Sequence, residues 1–535
     1  MVSRNQHILI IAILCSLAQA HGDGPGKKFY SDDPLWREPT PRPVRQVAVR
    51  KIDDIYDFLE NTYVIPRREH KEVKHGPQPA LDVNTLGEVP DSPWYTNRHW
   101  LRRMSIAELQ RGPGNTTPPS PDESWRIVSA KSDGVSPGFV IEDKRKNRYL
   151  LKFDPPRFPE LSSAADVIGS KFFYALGYST PENYVVHFRR DRLAIGDGVT
   201  WRDAGGKKHP LTDRAVDELL KAQPKGADGA YRAMASRWLA GEVVGPFSYR
   251  GTRSDDPNDT IPHQDRRMLR GLAVFCAWLN HHDTRSINTM DTLISEDGRK
   301  YMQHYLLDFG SILGSDGVAP KEPWAGHEYT MAGKDAAVQM VTFGFYTPRW
   351  VRSDYPKLTG AGLFDAWSFD PTSWKSNYPN PAFLLMDPED AFWAAKQVAA
   401  FTDDEIRAIV KAGEYSDPRA ADWISDCLIK RRDKIAQAWF SKVLPLDKFR
   451  ITDGRLAFDD LSAARRTYNV SWSSYDNDHR RATALPGAVG TKLPAVKGDT
   501  NYLAATIACS DGCPNPVTVY LRRAGLVFEV VGVDR

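Results

Sequence analysis

At 535 residues the chain has room for roughly two to four domains, and 41% hydrophobic with 26% charged residues is a globular composition, neither collagen-like nor wholly disordered. A formal net charge of +3 excludes strong electrostatic attraction for nucleic acid or anionic membranes. Beyond the N-terminus, no stretch offers the run of about 18 apolar residues that a permanent membrane anchor needs.

The first 20 residues read as a secretory signal peptide. Arg4 precedes an apolar run from Ile8 to Leu17, and Ala18-Gln19-Ala20 supplies the small residues of a cleavage site. Leu14, before Cys15, is too large for a lipidation signal. The expectation is export, periplasmic or extracellular, with the mature chain starting near His21. Residues 21–120 are rich in Pro, Arg and polar residues, with one short helix predicted within Ile52–Tyr63 and an aromatic anchor at Trp94-Tyr95. They read as an extension that wraps a larger body.

Strand patterns begin at Trp125. Ile127–Lys131, Gly138–Glu142 and Tyr149–Phe153 predict a three-stranded meander. The first connection carries Gly134 and Gly138, either an ordinary hairpin turn or a place where backbone amides approach a phosphate. Lys152 ends the third strand between apolar neighbours. A helix follows from about Ser163 to Leu176, stopped by Gly177. Its Ser163-Ala164-Ala165-Asp166 start fits a capping box. Further strands are predicted at 183–190 and 192–195, then an inserted hairpin at 197–211 and a helix at 212–222. Tyr231–Tyr249 returns to the core. Arg253–Asp259 reads as a solvated acidic turn, with calcium binding as the alternative.

Leu269, Leu272, Ala273, Cys276 and Leu279 form an apolar helical stripe. The helix gives way to a polar loop, Asn280 to Asn288, and then to two strands, Thr289–Ser295 and Lys300–Leu307, around a turn at 296–299. The second strand runs into Asp308-Phe309-Gly310. Helices resume at 388–401, 405–413 and 417–443, and Lys430-Arg431-Arg432 reads as a solvated basic face. Beyond Leu444, short alternating strands at 449–458, 469–472, 504–508, 517–521 and 526–531 predict a small β-sandwich.

Asp283, then Asn288 five residues on, then a hairpin ending in Asp-Phe-Gly resembles the catalytic core of the protein-kinase-like superfamily. The resemblance spans about Trp125–Val443 and is nearest to the atypical HipA-like, phosphoinositide and secretory-pathway kinases. It implies an α+β, two-lobed fold, divided here as signal peptide 1–20, extension 21–120, small lobe with insertion 121–262, helical lobe 263–445 and C-terminal β domain 446–535. It implies that Lys152 holds the phosphates of ATP, with amides around Gly134 and Gly138 nearby. Asp166 would position Lys152, with Glu160 as alternate; HipA-like kinases usually have Glu there, one methylene longer. Asp283 would serve as base toward an unidentified hydroxyl acceptor, and Asn288 and Asp308 would hold Mg2+ or Mn2+. His282 stands where ordinary kinases have Arg, and no Ala-Pro-Glu closes the following segment, so control by a phosphorylated loop is not implied. Nucleotidyl transfer, and binding without catalysis on the same scaffold, remain alternatives.

Cys276 and Cys427 lie on apolar helix faces and read as buried thiols, whereas Cys509 and Cys513 flank Ser-Asp-Gly in a strand-rich segment, where a local disulfide between them is expected in preference to a zinc site. Alkylation of the denatured, non-reduced mature chain should label Cys276 and Cys427 and spare the other two. Labelling of Cys509 without reductant would rule out that pairing.

Overall fold

The computed structural model describes residues 26–67, 78–130, 138–202, 207–226, 228–331, 341, 347–462, 466–496, 498, 500–510 and 514–535. The expected leader, Gly134 and Cys513 lie outside the described residues.

Among the described residues of the N-terminal segment, α1 (Asp54–Leu59) runs on as a π-helix over Glu60–Val64, and α2 (Ile106–Arg111) is closed by a capping box between Ser105 and Glu108. Strands β1 (Trp125–Ala130), β2 (Gly138–Glu142) and β3 (Arg148–Lys152) lead into α3 (Leu161–Ala175). Then come β4 (Asn183–Phe188), β5 (Leu193–Ile195), the small hairpin β6 (Thr200–Arg202) and β7 (Lys208–Pro210), α4 (Asp213–Lys221) and β8 (Tyr231–Arg237). Six of these strands form one mixed sheet in the order β4-β8-β3-β2-β1-β5, antiparallel except where β1 meets β5. One face of it buries Trp125, Ile127, Phe139, Ile141, Tyr149 and Leu151, and Val216 and Leu220 of the inserted α4 complete that core. Because side chains alternate along a strand, Lys152 leaves β3 on the opposite face from Tyr149 and Leu151.

After β8 the chain crosses to a second, three-stranded sheet. Its strands are β9 (Glu242–Gly245), β10 (Thr289–Glu296) and β11 (Arg299–Leu306), with α5 (Arg267–Leu279) between β9 and β10. Helices α6 (Pro381–Leu384), α7 (Pro388–Ala399), α8 (Asp403–Lys411) and α9 (Pro418–Phe440) pack around α5. Their shared core includes Leu272, Phe275, Trp278, Trp393, Ile409, Leu428 and Ile435, and α3 joins it through Ala165, Ile168 and Phe172.

Two sequence expectations fail here for the same reason. Arg431 is not on a solvated face: its guanidinium is buried, donating to the carbonyls of Trp278 at 2.9 Å, Ala277 at 2.5 Å and Asp365 at 2.8 Å. It satisfies the carbonyls left open at the end of α5. Arg253–Asp259 is likewise no solvated turn. Arg253 is buried against Asp291 at 3.3 Å, and Asp259 accepts from His263 at 2.7 Å and Arg266 at 3.1 Å. Periodicity marks these positions as polar, and only tertiary packing supplies their partners.

C-terminal to α9, β12 (Leu446–Thr452) and β13 (Arg455–Asp460) form a hairpin where one strand was expected. The chain turns back through Asp453 and Gly454, both at positive φ. Strands β14 (Tyr468–Asp476), β15 (Arg481–Val489), β16 (Tyr502–Cys509), β17 (Val517–Ala524) and β18 (Val527–Asp534) make an antiparallel sheet in the order β15-β14-β16-β17-β18. Leu446 and Leu456 of the hairpin share a core with Val470, Trp472, Ile507 and Val519 of that sheet.

The N-terminal segment touches every part. Phe29 packs among Tyr475, Tyr502 and Tyr520 of the C-terminal sheet, and Arg50 donates its amide to Val244 of β9 at 2.8 Å. Trp94 stacks on His304 of β11 with centroids 3.4 Å apart. Asp82 accepts from the amides of Arg267 and Met268, and so caps the helix that leads into the Asp283 loop.

Arg431→Ala should cost about 3 kcal/mol or more, because it strands buried carbonyls at the end of α5 and opens a cavity. The shift in denaturation midpoint of the helical core measures it; a change under about 0.5 kcal/mol would show that water replaces the guanidinium.

Candidate active site

The centre of the site is Lys152. From the end of β3 its ammonium donates to Asp308 Oδ1 at 2.8 Å and to Asp166 Oδ2 at 3.3 Å. One acid lies on α3, the other just past β11, so a single cation joins three distant stretches of sequence. Asp166 is buried and its second oxygen, Oδ1, accepts from the amide of Phe309 at 2.9 Å. Burial raises the Asp166 carboxyl to about 6, with Lys152 opposing and Asp308 reinforcing that shift. Burial works against the Lys152 charge, but the two acids outweigh it and raise its pKa.

Close packing makes this geometry. A Cβ on Gly169 would sit 2.5 Å from Phe309 Cβ, so only glycine lets α3 approach the Asp-Phe-Gly stretch this closely. Phe309 stacks on Phe173 at 5.0 Å. Asp308 itself is held at φ 56, in the left-handed region. The start of α3 is not the capping box expected at Ser163–Asp166. Asp154 fills that role, accepting from the amides of Ser162 at 2.9 Å and Ser163 at 2.7 Å. Asp166 is thereby free for Lys152. Glu160, the alternate partner, turns away to accept from the amide of Ser416 at 3.0 Å.

The Asp283 loop is placed by α5. Asn280 ends that helix in the left-handed conformation, and its amide group bonds to Ala325 and Trp374. The carboxylate of Asp283 accepts from Arg285, from Asn288 Nδ2 at 3.0 Å and from Asn377 Nδ2 at 3.2 Å. The β10–β11 ladder then fixes Asn288 beside Asp308: Thr289 pairs with Leu306, and Leu307 donates its amide to the Asn288 carbonyl at 2.9 Å. With Nδ2 committed to Asp283, the side-chain oxygen of Asn288 is left for another partner. Gly138 faces Lys152 directly across the β2–β3 ladder.

One amide oxygen and one carboxylate are the donor types a hard divalent cation takes, and a cation bound through nucleotide phosphates needs only one or two protein ligands. Among the described residues no group of three or more His, Cys, Asp or Glu is arranged as a metal cage. Asn288 and Asp308 fit the first kind of site.

Two residues at the site carried no sequence signal. Lys321 is buried against His282 Nδ1, and burial lowers its pKa to about 7. Asp316, whose carboxyl burial raises, lies 3.7 Å from His282 Nε2. They follow Asp308 in a Trp-, Pro- and Gly-rich stretch without periodicity, which hid them.

A strand-borne lysine shared by a helix acid and the Asp of Asp-Phe-Gly is a protein-kinase-like arrangement. No family model matches the chain, and no curated protein does. Among solved structures, the chain is similar to the Helicobacter pylori proinflammatory kinase CtkA, at 10% identity and a TM-score of 0.29, over 58% of this chain and 94% of that one. It is also similar to the Golgi casein kinase, at 11% identity and a TM-score of 0.28, over 75% and 96% of the two chains. The same kinase with Mn/ADP bound aligns at 11% identity and a TM-score of 0.28, over 75% and 94%.

A buried acid whose pKa is raised disfavours the folded state above that pKa; as pH falls through about 6 toward the unfolded value, the folded state gains from protonation. Asp166→Asn removes that charge and keeps the bond from Phe309. It should melt no earlier than wild type at pH 8, yet lose more than about half of any nucleotide-induced stabilisation. Thermal melts with and without ATP test both; earlier melting at pH 8 would show that the Lys152 pair stabilises the fold.

Proposed function

We propose that the chain is an exported, kinase-like phosphotransferase that moves the γ-phosphoryl of ATP to a hydroxyl on a protein, lipid or small molecule. The observation that carries this reading is the Lys152 ammonium, 2.8 Å from Asp308 and 3.3 Å from Asp166. A purely structural ion pair has no need of a third charged group with an exposed carboxylate, and the side chain of Asp308 is 54% exposed. Export rests on the leader alone.

In this reading Lys152 turns from Asp308 to the α- and β-phosphates when nucleotide arrives, while Asp166 keeps the ammonium aimed. Asp308, released from that pair, and Asn288 are the residues that would hold Mg2+ or Mn2+. The cation would supply charge neutralisation on the phosphates. Gly138, opposite Lys152 on the neighbouring strand, marks where backbone amides would meet the same phosphates. Asp283 accepts the acceptor's proton as the acceptor oxygen bonds to the γ-phosphorus and the bond to the bridging oxygen breaks. Asn288 and Asn377 aim that carboxylate.

ATP at 100 times its Kd should stabilise the protein by about 2.7 kcal/mol, and only with magnesium or manganese present. Asp308→Ala should abolish the metal-dependent part of that shift. Asp283→Ala should keep it and lower turnover by about 100-fold or more. Absence of any metal-dependent shift in wild type would favour a binding protein without catalysis. Full activity in Asp283→Ala would remove that residue as the base.

A further inference from the structure

We propose that α1 is a working part of the active site: Asp54 and Asp57 position the Asp283 loop by gripping Arg285, Ser286 and Tyr378. The inference rests on the phosphotransferase reading, which gives Asp283 its role.

Three side chains orient the Asp283 carboxylate. Asn288 is fixed by the β10–β11 hairpin, but Arg285 and Asn377 belong to loops and need support of their own. Arg285 donates to both Asp283 oxygens and, through Nη1, to Asp54 Oδ2 at 2.8 Å. Asp57 accepts from Ser286 Oγ at 3.2 Å and from the Tyr378 hydroxyl at 2.6 Å. Ser286 follows Arg285 and Tyr378 follows Asn377, so Asp57 holds the neighbour of each orienting residue. Asn61 donates to Asp57 at 3.0 Å, and the ring of Phe58 meets Tyr378 edge-on with centroids 5.6 Å apart. The spacing explains how one short helix does this, because residues three apart share a helical face.

The attachment of α1 is mainly polar. No residue of α1 is buried, with Ile55 and Tyr56 70% and 77% exposed, and the chain is anchored just beyond it at buried Asn61 and Ile65. The exposed Asp54–Arg285 pair is the contact that salt weakens most. Docked, α1 keeps Arg285 and Asn377 on the base; released, the loop keeps only Asn288. Asp54 and Asp57 touch no reacting group and act by positioning.

The full mature chain is compared with Asp54→Ala, Asp57→Ala and the conservative Asp54→Glu. Amide hydrogen exchange over residues 281–289 and 376–380 should quicken about tenfold or more in Asp57→Ala and stay unchanged in the C-terminal sheet. Unchanged protection in those two stretches overturns the proposal, whatever the activity. Phosphoryl transfer from MgATP to water or to the chain itself is then measured at saturating ATP. Turnover should fall about tenfold or more in both alanine variants with the KM for ATP within about twofold, and Asp54→Glu should recover most of it. Wild-type turnover should fall as salt rises from about 0.05 to 0.5 M, while Asp54→Ala, which lacks the ion pair with Arg285, stays flat. Full turnover in both alanine variants overturns the positioning role. Altered exchange in a chain whose wild type shows no metal-dependent turnover rejects the phosphotransferase reading, and the catalytic role of α1 with it, while leaving the clamp itself in place.

Discussion

A lysine ammonium shared by two acids is the constraint around which the rest is arranged. Taking Lys152 out of water is unfavourable unless its charge is met at close range, and Asp166 and Asp308 both meet it. Asp166 reaches Lys152 with a short side chain, which needs α3 close by. The sequence of α3 permits that: Ser162, Ser163, Ala164, Ala165 and Gly169 are all small and buried, and Gly169 lets Phe309 press directly on the helix. The shorter acid and the small-residue helix are one solution.

The same economy appears around α5, the helix that delivers Asp283. A helix leaves amides open at one end and carbonyls at the other. Here both ends are closed by residues remote in sequence. Asp82 from the N-terminal segment accepts from the first amides, and Arg431 from α9 donates to the carbonyls of Ala277 and Trp278. Arg431 also lies 3.7 Å from the centroid of Phe369, which replaces part of the water it has lost. Lys396 works similarly, joining Glu88 of the N-terminal segment to Asp447 of β12. Buried cations in this chain are connectors between segments.

What could be read from sequence was whatever is local. The strand meander ending in Lys152, the stripe of α5 and the hairpin that sets Asn288 against Asp308 all follow from period, turn chemistry and short spacing. What could not be read depends on partners far along the chain. Asp154 lies in an unpatterned connection, yet it takes the capping role that the sequence assigned to Ser163–Asp166. Arg431 looked solvated because a helical wheel cannot register a carbonyl at the end of another helix. The edge strand β15 escaped because neither of its faces is buried, so it has no alternation to detect.

The segment after Asp308 is tied to the Asp283 loop through residues of its own. Lys321 reaches His282, Leu313 donates its amide to Leu279 at 2.9 Å, and Asn377 donates its amide to the His282 carbonyl at 2.8 Å. Burial lowers the pKa of both His282 and Lys321, Lys321 to about 7, so at neutral pH the imidazole is uncharged while the amine exists in both forms. An ammonium donates to a bare imidazole nitrogen, and a neutral amine accepts from a protonated one, so either form of Lys321 keeps the contact with a change of tautomer. Contacts from the segment after Asp308 and contacts from α1 thus converge on the one loop that carries Asp283.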